Sequence, residues 1–311
     1  MAYSQSGLIE ATDYNNFVGT SPSSTANRIN TVWAVGNGQY GYGQTAVGTV
    51  SAGGVVTAAQ WASAVNTLNS IRTHQSGSGS GISAPTAGTV ANYLSTFSTQ
   101  IASGYTNALT AATQGTTTTG STFSPNPTAT NDATYNANIE TRTVTFASAD
   151  QARYFFNAGG QINFVIISVT NGDATARSTD AVNTIGTYFG GMSAFKATTN
   201  GQRTGAGGTL AGGGYVSGYY SLTTAYQTIA QVTTSSTTYS TDYVTLQTKY
   251  SGTLGSNGDK SPQITFALNY FSSHTTGFND TLNVTVNHRV DVVYPETTNL
   301  STASWGTATV A

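Results

Sequence analysis

From Thr281 to Val292 the chain alternates without a break. Leu282, Val284, Val286, His288, Val290 and Val292 form one row, and Thr281, Asn283, Thr285, Asn287, Arg289 and Asp291 form the other. Successive side chains of a strand point to opposite faces, so this run places one row against a core and the other outward, as in an antiparallel sheet with one wet face. Strands usually have about 5–6 residues, and this one is far longer. The pattern returns from Gln263 to Phe271, where Ile264, Phe266, Leu268 and Tyr270 oppose Gln263, Thr265, Ala267 and Asn269, which predicts a second strand with one wet face.

Further strands are predicted over Thr141–Phe146, Gln161–Thr170, Tyr219–Val232 and Tyr243–Tyr250. The middle of Gln161–Thr170 is apolar on both faces, as in a central strand. Two helices interrupt the series. Ser148 and Gln151 have capping-box spacing and open a helix carrying Ala152, Phe155 and Phe156, which Gly159 and Gly160 stop. Ser178 is placed as the cap of the other, with Val182, Ile185, Tyr188, Phe189 and Met192 on one side.

Ahead of the strands the apolar period is helical. Thr12 is expected to cap a turn carrying Tyr14, Phe17 and Val18, and Ser23 or Ser24 a second with Ala26, Ile29, Val32 and Trp33. Thr57 to Gln60 matches the capping box and precedes Trp61, Val65, Leu68 and Ile71 at helical spacing. Thr86 to Leu109 carries a stripe of Val90, Tyr93, Leu94, Phe97, Ile101, Tyr105 and Leu109 with almost no charge opposite, and such a helix needs a partner surface. Residues 113–134 have no apolar period, two prolines and a block of threonines. The expected organisation is therefore α+β: a helical docking region over 1–112, a Thr/Pro-rich linker over 113–134, and a mainly antiparallel, sandwich-like β domain with two inserted helices over 135–311.

Only 22 of the 311 residues are charged, 7%, against about 25% in ordinary domains, while 57 Thr and 33 Ser carry the polarity. The ten basic residues are scattered, which argues against nucleic-acid binding. Without cysteine there is no disulfide, thiolate metal site or Cys nucleophile. The start MAYSQSGLIEATDYNNF has no basic segment followed by an apolar run, so neither a signal peptide nor a membrane span is expected. A net charge of −2 favours association, which hints at assembly.

Gly36-Asn37-Gly38-Gln39-Tyr40-Gly41 matches G-x-G-x-x-G, but the nucleotide-binding form of that motif lies between a strand and a helix, and here a helix precedes it. A glycine-permitted turn with packed tyrosines is the better account. Ser193 to Lys196 matches S-x-x-K without the companion elements of acylating enzymes. His74 falls near a helix C-terminus, His274 in a loop, and His288 in the apolar row of the last strand, with no zinc-like spacing. Glu10 and Asp13 are the one close acidic pair and read as helix-start charges. Asn171-Gly172-Asp173 and Asn279-Asp280 match no full calcium loop. Neither catalytic residues nor a cofactor or metal is expected.

The segment Asp150 to Ile162, which contains ARYFFNAGG, resembles a helix-to-strand signature of virion structural proteins of tailed bacteriophages, cyanophage-like myoviruses in particular. GLIEATDYNNFVG near the start, Val55 to Gln75 and Tyr220 to Ile229 are similar to the same group, so the resemblance samples both halves of the chain. It implies a non-enzymatic virion component of tail, neck or appendage, made in a bacterial cytoplasm, with other virion proteins and its own copies as partners. A receptor-binding or glycan-recognising fibre protein that meets a host surface glycan is the alternative, and a polysaccharide depolymerase the third reading. Tyrosine, at 18, is in excess, and its ring buries area while its hydroxyl stays bonded. Tyr14, Phe17, Trp33, Tyr40, Tyr42, Tyr219 and Tyr220 are the interface candidates.

Overall fold

A computed structural model describes residues 10–19, 29–88, 94–108, 114–118, 122–123, 128–129, 134–188, 194–199, 219–234, 238–257, 261–273 and 280–311. The helical part comprises α1 (Ala11–Val18), α2 (Ile29–Trp33), α3 (Ala58–Ser76) and α4 (Leu94–Asn107). In α3 the capping box forms: Thr57 Oγ1 accepts from the Gln60 N–H and Gln60 Oε1 from the Thr57 N–H. Glu10, not Thr12, caps α1, because Asp13 three residues on accepts from the Glu10 N–H and completes a box of carboxylates. The fourth helix begins at Leu94, while Val90 and Tyr93 lie outside the described residues, as do Ser23, Ser24 and Ala26. Phe17, Trp61 and Phe97 bring α1, α3 and α4 together, with ring centroids 5.2–5.7 Å apart.

Residues 113–134, read as a linker, contribute the short strands β1 (Gln114–Thr118), β2 (Thr122–Phe123) and β3 (Thr128–Ala129). β-branched threonine favours extended backbone even without apolar alternation. Then follow β4 (Thr134–Thr145), α5 (Ala149–Asn157), β5 (Gln161–Asn171), α6 (Ala176–Tyr188), β6 (Ala194–Thr199), β7 (Tyr219–Leu222) and β8 (Gln227–Thr233). The chain ends with β9 (Tyr243–Ser251), β10 (Gln263–Ser273), β11 (Leu282–Pro295) and β12 (Thr309–Val310). One sheet has the order β1-β11-β5-β6-β7, with β2 and β3 also paired to β11, and the other β12-β4-β10-β9-β8. Every pairing is antiparallel except β6 with β7. The fold is α+β with mainly antiparallel sheets.

The predicted inner row of β11 is buried, and Phe164 of β5 meets Phe266 of β10 across the sheets at 6.2 Å. One hydrophobic core runs from Phe17 and Trp61 through Phe155 and Ile162 to Val290, so helices and sheets share a single interior. Three expectations change. The polar row of β10 is not wet: Thr265, Ala267 and Asn269 are buried. Thr265 bonds Thr143 on β4, and Asn269 donates to Gln247 on β9, which donates to Thr228 on β8. Strand β5 is buried on one face only: alternation from the buried Ile162, Phe164 and Ile166 sets Ile167 outward, 48% exposed, and a bulge opposite Asn287 and His288 keeps the following Ser168 outward as well. Tyr219–Val232 is two strands in different sheets, broken where the Gln227 side chain accepts from the Thr223 N–H.

Candidate interaction surface

Helix α5 carries most of the ARYFFNAGG segment, and its polar residues hold the glycine loop. Ser148 caps the helix by accepting from the Gln151 N–H. Phe155 and Phe156 pack on Phe146 and on each other, and Phe155 meets Tyr294 edge-on. Arg153 and Asn157, one turn apart, share a face. The buried Arg153 guanidinium donates to the carbonyls of Tyr40 (2.6 Å) and Val35 (2.7 Å) and pairs with Asp150. The Asn157 amide donates to the carbonyls of Gly38, Tyr40 and Gly41 at 3.0–3.2 Å.

This geometry disfavours a phosphate cradle at Gly36 to Gly41. Anion binding needs loop N–H groups that point at the ligand, whereas here carbonyls converge on two donors. The N–H groups of Gly38 and Tyr40 bond the carbonyls of Asn257 and Asn37. The glycines serve close packing: Gly41 has φ +98°, and a Cβ there would lie 2.0 Å from the Val35 carbonyl oxygen.

Side-chain amides fix the neighbouring extended stretch by imitating peptide groups. Asn15 both donates to the carbonyl and accepts from the N–H of Val50, and Asn30 does the same for Val47. Gln44 repeats the exchange with Ser301, which ties the loop to the C-terminal segment. Backbone outside helix and sheet is thereby satisfied without charge. These roles were not read from sequence, although Asn30 beside Ile29 and Val32 marks a polar group on an apolar helix face.

Among the interface candidates, Tyr14, Phe17 and Tyr42 are buried at 0–5% exposure and belong to the core, a correction of their expected surface role. They fall on the apolar sides of α1 and of the glycine loop, and their hydroxyls are bonded inside: Tyr14 donates to the Gln60 carbonyl and Tyr42 accepts from Gln75. Trp33 and Tyr40 are half-buried; Trp33 Nε1 donates to the Thr45 carbonyl, and Tyr40 stacks on Tyr105 at 4.1 Å. Burial and the Tyr105 hydroxyl push the Tyr40 phenol up. Tyr219 and Tyr220 lie on β7, and their side chains fall outside the described residues, as do Ser193, the Lys196 side chain, His274 and Asn279. Ile167, Val35 and Tyr226 add exposed apolar area that the sequence reading passed over.

The remaining acidic and basic groups are built into the frame. Asp173 accepts from the hydroxyls of Thr175 and Thr281 and from the Thr175 N–H. Burial alone would raise its carboxyl, but these bonds and one from Ser178 hold it down at about 2. Arg177 and Asp242, both fully buried, approach at 3.6 Å, and Tyr270 donates to Asp242. His288 stacks on Phe164, and burial pushes its imidazole below the ordinary value. Among the described residues no three His, Asp or Glu side chains are grouped to hold a metal ion, and no helix is long and apolar enough to cross a membrane.

What the fold offers a partner is the outer face of β5 and β11. There Ser168, Thr170 and Ile167 are exposed beside half-exposed Asn283, Thr285, Asn287 and Arg289, and Asn287 donates to Ser168 at 2.7 Å. In comparisons with known proteins the chain matches no family model, no curated protein and no solved structure.

Proposed function

We propose that this chain is a non-enzymatic structural component of a tailed-bacteriophage virion, in the tail, neck or an appendage, and that it works through contacts with other virion proteins and with its own copies. The observation that carries the reading is where its charges lie. Every Lys and Arg whose side chain lies among the described residues is buried or half-buried and engaged: Arg72 with Gln100, Arg142 with Glu140, Arg153 with Asp150, Arg177 with Asp242, Lys249 with the Tyr226 ring, and Arg289 with Asp291. Among the described residues, the surface left for recognition consists mainly of hydroxyls, amides and isolated apolar side chains, with Glu10 as an exposed acid. Such a surface suits extended, permanent packing between subunits better than steering of a charged ligand. Helix α5 supports the same reading, since its polar residues Arg153 and Asn157 are spent on bracing a loop.

The test is direct. Mass spectrometry of gradient-purified particles should find the chain at a fixed copy number, and a reconstruction of the particle should accommodate this fold in a repeating position. Absence from particles would overturn the reading. Retention of neutral glycans by a protein that does not assemble would replace it with a receptor-binding role, and release of reducing sugar from a polysaccharide would replace it with a depolymerase.

A further inference from the structure

Where the helical layer meets the sheets, His74 is completely buried in the last turns of α3 with a hydrogen-bond acceptor against each ring nitrogen. Nδ1 lies 3.0 Å from Glu296 Oε1, in the turn after β11, and Nε2 lies 3.0 Å from the carbonyl oxygen of Ala158, at the end of α5. A neutral imidazole has one N–H and one lone pair, so it satisfies only one of these acceptors and turns its lone pair on the other. The imidazolium has two N–H groups and satisfies both. Burying that cation requires a counter-charge, which Glu296 supplies.

We propose that a buried imidazolium at position 74 latches the helical layer onto the β framework, and that the seam loosens when the ring gives up its second proton. Titratable groups face the ring from two further elements. Glu296 is fixed by its own turn, accepting from the N–H groups of Thr298 and Asn299 and from the Asn299 amide. Tyr42, in the glycine loop, stands edge-on at 5.2 Å and accepts from Gln75. On α3 itself, Arg72 is turned away to Gln100. Burial would raise the Glu296 carboxyl, but the bonds from Asn299, His74 and Thr298, with the charge on His74, hold it below the ordinary value. Its carboxylate therefore persists where the imidazolium is present.

The proposal rests on three segments distant in sequence, one of which, the end of α5, also braces the glycine loop through Asn157. Releasing Ala158 therefore disturbs the loop clamp as well as the seam. The inference does not depend on the virion reading, since it concerns how this chain holds itself together.

The experiment is a pH titration of the full-length protein by two-dimensional ¹H–¹⁵N spectroscopy of the imidazole, together with amide hydrogen exchange corrected for intrinsic rates. Near neutral pH both ring nitrogens of His74 should report as protonated. When alkalinisation removes one proton, the amides of Ala158, Gly159 and Gly77 should exchange about a hundredfold faster or more, the scale expected when one partner of a buried pair is lost. His74→Gln should exchange fast at every pH with no step, and a surviving step in that variant would overturn the latch. If His74→Gln does not fold, Glu296→Gln decides: the ring should then lose its second proton at lower pH and the step should move with it. A ring carrying one proton at neutral pH with a closed seam, or a step that Glu296→Gln leaves in place, refutes the proposal.

Discussion

Arg153 and Asn157 together saturate four carbonyls of a glycine loop, which makes them the most consequential polar side chains in the helical-to-sheet joint. Arg153→Met should cost more than its lost packing, because the Val35 carbonyl is left without its donor, while Asp150, 39% exposed, stays solvated and keeps Asn257. A further destabilisation of about 1–3 kcal/mol is expected, the usual scale for an acceptor left unsatisfied, read as a lowered denaturation midpoint. Phe155→Ala should cost about 3–5 kcal/mol through the cavity it opens beneath Tyr294 and Phe146. Acid stability follows from Asp173. Its folded-state value of about 2 lies below the ordinary carboxylate range, so the unfolded chain binds the proton first as pH falls. Stability from this group is full above pH ~4 and disappears as pH falls toward ~2. Asp173→Asn, measured by urea midpoints across that window, should flatten this limb of the profile; an unchanged slope would show that the hydroxyls around Asp173 do not hold it down.

At the scale of elements, Thr57→Ala should weaken α3 by about 1 kcal/mol, because a Gln60 N–H loses its acceptor, and amide exchange in the first turn of α3 is the sensitive measure. The cap and the apolar face of that helix were legible in the sequence, since the capping box and the helical period agree, while its end, past His74 at Ser76, was not read. The rows of β10 and β11 were legible for the same reason: an unbroken alternation has only one strand register that buries it. Other features depended on information that a linear pattern lacks. Whether the Thr265 and Asn269 row is wet is decided by polar neighbours on β4 and β9, which no period in β10 announces. The strand character of 114–118, 122–123 and 128–129 rests on pairing with β11, more than 150 residues away. Tyr14 and Tyr42 were misread because a tyrosine in a glycine-rich or terminal stretch has the same local pattern whether its hydroxyl meets solvent or a buried Gln75. The amide surrogates Asn15, Asn30 and Gln44 were invisible because their partners are defined only once the loop has folded back.

For the whole molecule, the internal placement of charge among the described residues means that the proposed association should rest on shape and apolar contact. Salt between about 0.01 and 1 M shortens the screening length from ~30 to ~3 Å, yet among the described residues the cations already have partners inside the fold. Self-assembly or binding to virion neighbours should therefore survive the whole range, as followed by sedimentation velocity. The outer face of β5 and β11 allows a sharper comparison. Arg289 is bonded to both oxygens of Asp291, which is itself buried, so removing one alone leaves an uncompensated charge; the two should be replaced together. Arg289→Gln with Asp291→Asn removes both charges, keeps hydrogen-bonding groups in place and should change association by less than about 1 kcal/mol, the ordinary limit for a pair with a solvent-accessible partner. Ile167→Asp should act the other way. Strand alternation holds that side chain out of the core, so the substitution leaves the fold's melting temperature nearly unchanged while placing a carboxylate in an apolar contact. A weakening of about 2 kcal/mol or more is expected if Ile167 sits at an interface centre. Dissociation by moderate salt, or full assembly by the Ile167→Asp protein alongside loss in the charge-free double variant, would show that ion pairs rather than this neutral face hold the particle together.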